Sequence, residues 1–145
     1  MDGADLRSRA LQLLSRREHT RRELSRKLAA HSDDEGAIEA LLDELTEAGL
    51  LSDQRAADAI LRTRTGRHGL LKIRQELQQR GVPAEVASTA LDAAREGELE
   101  SARSVWRKKF AHPPTNAEER ARQGRYLQNR GFSLPIIRQI LRSDD

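Results

Sequence analysis

Two stretches fifty positions apart repeat one phrase: Leu77-Gln78-Gln79-Arg80-Gly81-Val82 and Leu127-Gln128-Asn129-Arg130-Gly131-Phe132. A helix stops cheaply at glycine because a residue without Cβ enters the left-handed region at little cost, and the apolar residue that follows folds back onto the last turn. The phrase therefore dictates a helix, a reversal and a second helix, twice. The register continues beyond it, with Val86 falling on Ile136, Ala90 on Ile140 and Leu91 on Leu141. Gly49-Leu50 carries the same stop, and a looser match sets Leu24 and Leu28 against Ile73 and Leu77. The chain is predicted to consist of three tandem three-helix units over residues 1–51, 52–96 and 97–145. Units of this size bury little alone and stack on their neighbours, which predicts an elongated, curved array whose hand is open.

Composition points the same way. Charged residues make up 34% of the 145 and aromatics 3%, so the core must come from Leu, Ile, Val and Ala on amphipathic helices. The expected fold class is all-α. No cysteine is present, which excludes a disulfide framework and thiolate metal sites and suits a reducing compartment. The opening Met1-Asp2-Gly3-Ala4-Asp5-Leu6-Arg7 has no apolar targeting region, and no apolar run approaches the ~20 residues needed to span a bilayer. A soluble, cytoplasmic chain with no membrane partner is expected.

Helices are predicted over about 5–15, with Leu6, Ala10, Leu13 and Leu14 inward, and 21–30, with Leu24 and Leu28 inward. Thr20 and Glu23 form a capping box at the second start. A third helix presents Ile38, Leu41, Leu42 and Leu45 behind Asp34 and Glu35; a fourth, capped by Ser52 or Asp53, presents Ala56, Ala57, Ile60 and Leu61. Leu70, Ile73 and Leu77 mark the fifth, and Val86, Ala90, Leu91 and Ala94 the sixth, beginning near Pro83. The seventh, about 98–110, turns Leu99, Ala102, Val105, Trp106 and Phe110 inward. Pro113-Pro114 end it, and Thr115 with Glu118 reads as a second capping box. The eighth carries Ala117, Ala121, Gly124 and Leu127, and the ninth, capped by Ser133, carries Ile136, Ile137, Ile140 and Leu141. The tail Ser143-Asp144-Asp145 is expected to fray.

Charge is segregated along the chain. Residues 1–31, 59–80 and 101–131 hold eight, six and eight Lys/Arg against four, one and two Asp/Glu, whereas 32–58 and 81–100 hold one basic residue each against nine and five acidic ones. Solvated helix faces account for part of this pattern. The sharper reading is a basic surface that meets a polyanion and is kept apart from an acidic back. Arg22 and Arg26, four apart, line up on the second helix, whereas Arg21 and Lys27 project elsewhere.

Enzyme chemistry finds no foothold. His19, His31, His68 and His112 have no metal-ligand spacing, and there is no nucleophile triad order and no phosphate-cradling loop, so neither a metal nor a cofactor is expected. His19 reads as a helix-end residue. Gly66-Arg67-His68-Gly69 has the form of a backbone-clamping loop, but without flanking strands it reads as an interhelical turn. Trp106, at core spacing, reads as a packing residue rather than a base-stacking one.

Four motifs in order, Leu14-Ser15-Arg16-Arg17-Glu18-His19-Thr20-Arg21-Arg22-Glu23-Leu24 with Lys27-Leu28, Gly49-Leu50-Leu51-Ser52-Asp53, Gly69 to Leu77 with Gly81, and Arg130-Gly131-Phe132-Ser133, resemble the RecX family, regulators of the RecA recombinase. The resemblance runs from about Leu6 to Leu141 and departs where the family usually carries an aromatic residue near Ala56 or Ile60. It implies a non-enzymatic, monomeric modulator in DNA repair, homologous recombination and the SOS response. Such a protein binds the RecA filament on DNA and restrains its ATPase and strand exchange. Candidate contacts to RecA or to single- or double-stranded DNA are Arg16, Arg17, Arg21, Arg22, Arg26 and Lys27 in the first unit, Arg67, Lys72 and Arg74 in the second, and Arg122, Arg125 and Arg130 in the third. Basic blocks alone would equally suit a general helical nucleic-acid binder acting without RecA.

Overall fold

The computed structural model describes residues 3–142; the tail expected to fray, Ser143-Asp144-Asp145, lies outside them. The described chain is all-α: α1 (Gly3–Arg16), α2 (Arg21–Ala29), α3 (Glu35–Glu47), α4 (Asp53–Arg64), α5 (Leu70–Gln79), α6 (Ala84–Ala94), a 3-10 turn (Arg95–Gly97), α7 (Glu98–Lys109), α8 (Ala117–Asn129) and α9 (Leu134–Leu141). The helices follow one another as three groups of three.

The repeated phrase does what its chemistry requires. Gly81 and Gly131 sit at φ +83° and +95°. After them, Val82 N–H donates to Leu77 O at 2.9 Å and Phe132 N–H to Leu127 O at 3.2 Å, while Gly81 and Gly131 donate to Gln78 O and Gln128 O at 3.1 and 2.9 Å. Val82 and Phe132 are buried, so each reversal is held by two hydrogen bonds and an apolar contact. Gly49, at φ +75°, stops α3 in the same way, with Leu50 N–H donating to Leu45 O at 2.9 Å.

Helix starts follow local side-chain chemistry, with one shift from expectation. Thr20 Oγ1 accepts from Glu23 N–H at 3.0 Å and the Glu23 carboxylate accepts from Thr20 N–H at 2.9 Å, a complete capping box. Asp34 caps α3 through Ala37 N–H, and Ser52, rather than Asp53, caps α4 through Arg55 N–H. At α8 the expected Thr115–Glu118 box is displaced by one residue. Asn116 is the N-cap, accepting from Glu119 N–H at 2.8 Å, and the Glu119 carboxylate takes the Thr115 N–H and hydroxyl. An asparagine amide oxygen caps as well as a hydroxyl, so the neighbour one step closer to the helix wins. Ser133 stands at the α9 N-cap in extended backbone, but its hydroxyl makes no capping bond.

Burial follows the helical rows with two exceptions. One core gathers Leu6, Ala10, Leu24, Leu28, Ile38, Leu41, Leu42, Leu45 and Leu51, with Leu13 and Leu14 half-buried against it. Another gathers Ala102, Val105, Leu127, Phe132, Ile137, Ile140 and Leu141, flanked by Leu99, Trp106 and Ile136. Ala56, Ala57, Ile60 and Leu61 of α4 are buried as expected. On α6, Ala87 is buried and Val86 only half-buried, a rotation of one position. On α8, Ala117 and Ala121 are exposed and the inward pair is Gln123 with Leu127. The Gln123 amide is bonded on both sides, to Trp106 Nε1–H and to the His112 carbonyl, which removes the penalty that argues against a buried glutamine.

By compactness the chain divides into two units. Unit 1 comprises residues 1–59 and 77–87, and unit 2 comprises 60–76 and 88–145. Helices α4, α5 and α6 each contribute residues to both.

Candidate functional site

The cations of unit 1 are organised by the capping box at the start of α2. Glu23 is half-buried, and its carboxylate accepts from Arg17 at 3.0 Å, from Arg80 Nε at 3.2 Å and from Thr20 N–H. Burial alone would raise its pKa, but the Arg17 and Thr20 hydrogen bonds and the Arg80 charge hold it down, at about 2. Thr20 Oγ1 donates in turn to the Arg80 carbonyl, which joins the α5–α6 reversal to α2. His19 is buried beside this cluster. Its Nδ1 lies 3.0 Å from the Arg17 carbonyl, which can only accept, so Nδ1 carries the proton and Nε2 accepts from Lys27 Nζ at 2.9 Å. Burial and the Arg17 and Lys27 charges keep the His19 pKa below its ordinary value, although the Arg17 carbonyl opposes them.

Three of the six candidate cations of unit 1 are engaged by neighbouring side chains. Arg17 is tied to Glu23, and Arg21 to Glu39 at 2.7 Å and Asp43 at 2.8 Å. The Arg21 N–H donates to Asp53, and burial together with the Arg17 charge lowers the pKa of Lys27. Arg16, Arg22 and Arg26 are exposed, with no side-chain partner among the described residues. Arg22 and Arg26 edge an open cleft of about 540 Å³ whose lining also includes Ser25, Glu39, Asp53 and Pro83, a surface of mixed charge. The stem of Arg22 packs on Gly81, where an added Cβ would stand 2.6 Å from Arg22 Cβ.

In unit 2 the candidates surround an aromatic. Arg130 donates to Tyr126 Oη at 3.1 Å and to the Arg67 carbonyl at 3.2 Å, and its guanidinium lies 5.3 Å from the Tyr126 ring centre. Lys109 Nζ lies 5.5 Å from the same ring, and Phe110 meets it edge-on at 5.4 Å. Arg122, Tyr126 and Arg130 are spaced by four and share one face of α8. Arg67, Lys72, Arg74, Arg122 and Arg125 are exposed, and none forms a side-chain ion pair among the described residues. The backbone beneath them is tightly joined. Gly69 N–H donates to Arg130 O at 2.7 Å and Leu71 N–H to Gly131 O at 3.1 Å. A Cβ on Gly69 would come within 2.4 Å of the Gly131 carbonyl. The expected interhelical turn at Gly66–Gly69 is thus a joint against the α8–α9 reversal, with Gly66 at φ +90°. Beside it, burial and the Lys72 and Arg130 charges hold the His68 pKa below its ordinary value.

Of the twelve candidates, six lie in unit 1 and six in unit 2. The sequence reading missed the Tyr126 arrangement, although the i, i+4 row Arg122-Tyr126-Arg130 was its available signal, and Lys108 and Lys109 were not among its candidates. Trp106 is half-buried and anchored through Gln123, in keeping with a packing role. Among the described residues no group of three His, Asp or Glu is placed to hold a metal ion, and no helix is long and apolar enough to cross a membrane.

Comparison with known proteins supplies the context for this arrangement. Family models for the first, second and third three-helix domains of RecX match residues 7–45, 52–91 and 96–141 in that order. The chain is 49% identical over 140 residues to the regulatory protein RecX of Leptothrix cholodnii, covering 97% of this chain and 89% of that protein. It is 44% identical to the protein of the same name from Chromobacterium violaceum, covering 97% and 91%. The crystal structure of RecX from Lactobacillus salivarius superposes with a TM-score of 0.85 at 23% identity, over 96% of this chain and 94% of that one. A second crystal structure, of a regulatory protein RecX, gives 0.80 at 26% identity, over 95% and 72%. With its three domains matched in order and relatives this similar over nearly its whole length, the chain belongs to the RecX family of regulatory proteins.

Proposed function

We propose that this protein binds the RecA filament on DNA and restrains RecA's ATPase and strand-exchange activity, acting in recombination and DNA repair within the SOS response. The observation that carries the reading is the ordered match of all three RecX domains together with relatives named as RecX regulators. The protein acts without catalysing a reaction, as a cytoplasmic monomer, with residues 1–51, 52–96 and 97–145 as its building units. The cations without carboxylate partners support contact with a polyanionic assembly. Submicromolar protein is expected to slow RecA-dependent ATP hydrolysis on single-stranded DNA at low salt; an unchanged rate overturns the proposal.

A second reading, a helical nucleic-acid binder that acts without RecA, is favoured by the unpaired cations of unit 2. It predicts tight binding to bare DNA with no effect of the protein on RecA.

A further inference from the structure

The two compact units carry opposite charge. Unit 1 contains ten Lys/Arg and fourteen Asp/Glu, net −4; unit 2 contains sixteen and nine, net +7; together they give the chain's +3. Pairing widens the contrast. In unit 1 the carboxylates of Glu18, Glu23, Glu39, Asp43 and Glu44 engage Arg55, Arg17, Arg80, Arg21 and Arg7. In unit 2, among the described residues, four of the sixteen cations are so engaged: Arg64, Arg95, Arg103 and Arg107. Among the described residues, half of the ten cations of unit 1 are thus tied to carboxylates, against a quarter of the sixteen of unit 2.

From this contrast we infer that the protein's phosphate contacts lie in unit 2, on a surface carried by Lys72, Lys108, Lys109, Arg122, Arg125 and Arg130, and that the basic stretch at the start of α2 makes none that matter to DNA affinity. The inference rests on the DNA-facing part of the proposed function; it keeps Lys72, Arg122, Arg125 and Arg130 of the twelve candidates and adds Lys108 and Lys109.

Three features suit this surface to a nucleic-acid backbone. Among the described residues its cations have no carboxylate partner, so a phosphate gains charge contacts without first breaking an internal ion pair. Arg130 is pre-positioned by Tyr126 and the Arg67 carbonyl, which lowers the ordering cost of a contact. The cations of this surface are brought together, with Lys109 and Arg130 on the Tyr126 ring and the Lys72 stem against Gly131. By contrast Arg22 and Arg26 overlook Glu39 and Asp53 across their cleft, and a phosphate entering there meets carboxylates as well as cations. Backbone contacts of this kind carry no sequence preference.

The test is fluorescence anisotropy of the full chain with a labelled single-stranded oligonucleotide, without RecA, over a range of salt concentrations. Lys72→Gln/Arg122→Gln/Arg125→Gln removes three contacts, and the slope of log affinity against log salt is expected to flatten by about 2, at roughly 0.7 per phosphate on a single strand. Arg22→Gln/Arg26→Gln is expected to leave the slope unchanged. All five side chains are exposed and without polar partners among the described residues, so both variants should keep the wild-type circular dichroism. Lys108→Gln is a further single-site variant, expected to flatten the slope by about 0.7. The inference is overturned if the α2 pair flattens the slope as much as the triple does, if the triple leaves it unchanged, or if the wild-type chain fails to bind the bare oligonucleotide at low salt. The last result would assign these cations to an acidic protein surface. Since RecA is absent from this assay, each of those failures leaves the RecA reading to be decided by ATP hydrolysis alone.

Discussion

Both units bury polar groups, but they satisfy them differently. In unit 1 the buried chemistry is ionic: Glu23 held by Arg17 and Arg80, and His19 bonded to Lys27. In unit 2 it is neutral: the Gln123 amide between the Trp106 indole and the His112 carbonyl. The ionic cluster occupies Arg17 and Arg80, whereas the amide cluster occupies no arginine. The same residue type is therefore structural in one unit and available to a partner in the other. Counting arginines in the sequence cannot reveal this, because the count is nearly blind to who faces whom.

The sharpest way to test the difference is at the glycines of the reversals and joints. Gly69→Ala drives a methyl into the Gly131 carbonyl, backbone against backbone, and should cost about 4 kcal/mol or prevent folding. Gly49→Ala in unit 1 has open space around its Cβ and suffers only the φ +75° penalty, about 1 kcal/mol. Urea unfolding of both variants measures the gap; equal losses would mean that the joint of unit 2 is looser than described.

The next effect separates ionic from neutral chemistry. Glu23 titrates at about 2 in the folded chain against 4.5 unfolded. Its stabilisation is thus fully present above pH 4.5 and is lost as pH falls through about 2, amounting to about 3 kcal/mol at neutral pH. Glu23→Gln should lower stability at pH 7 and flatten the acid limb of a urea-midpoint profile. Gln123→Leu should cost about 1–2 kcal/mol by orphaning the Trp106 N–H and the His112 carbonyl, with no change in the pH profile.

The smallest effect belongs to His19. Its pKa is lowered on folding, so the neutral ring's contribution is present above the unfolded value of 6.5 and declines as pH falls below it. Between pH 7.5 and 5.5 the unfolding free energy of the wild type, from urea titration, should fall by less than about 1.4 kcal/mol per pH unit through this group, and His19→Gln should remove that slope.

Much of the fold was legible because the relevant forces act locally. Glycine stops at 49, 81 and 131, the Thr20–Glu23 box and the leucine rows each depend on residues within one or two turns. The misreadings arose where two good local choices competed, Thr115 against Asn116 as a cap, or where a distant partner changed a residue's cost, as Trp106 did for Gln123. The candidate site was legible only as composition. Arg22 and Arg26 stayed free as the helical wheel indicated, but the neutralisation of Arg21 by Glu39 and Asp43, and of Arg17 by Glu23, depends on tertiary contacts or on the exact path of a turn. Helix periodicity carries neither.

The carbonyls of Arg80 and Arg130 have a consequence for how this chain is made. Thr20 leaves the ribosome long before its hydroxyl finds its acceptor, which lies sixty residues further on. The start of α5 likewise awaits the carbonyl of Arg130. The start of α2 is closed by its own capping box, but its tie to the α5–α6 reversal, like the bond at the start of α5, forms only after a later reversal has been synthesised. The series ends at α8, where Asn116 and Glu119 close the helix start with neighbours already in hand.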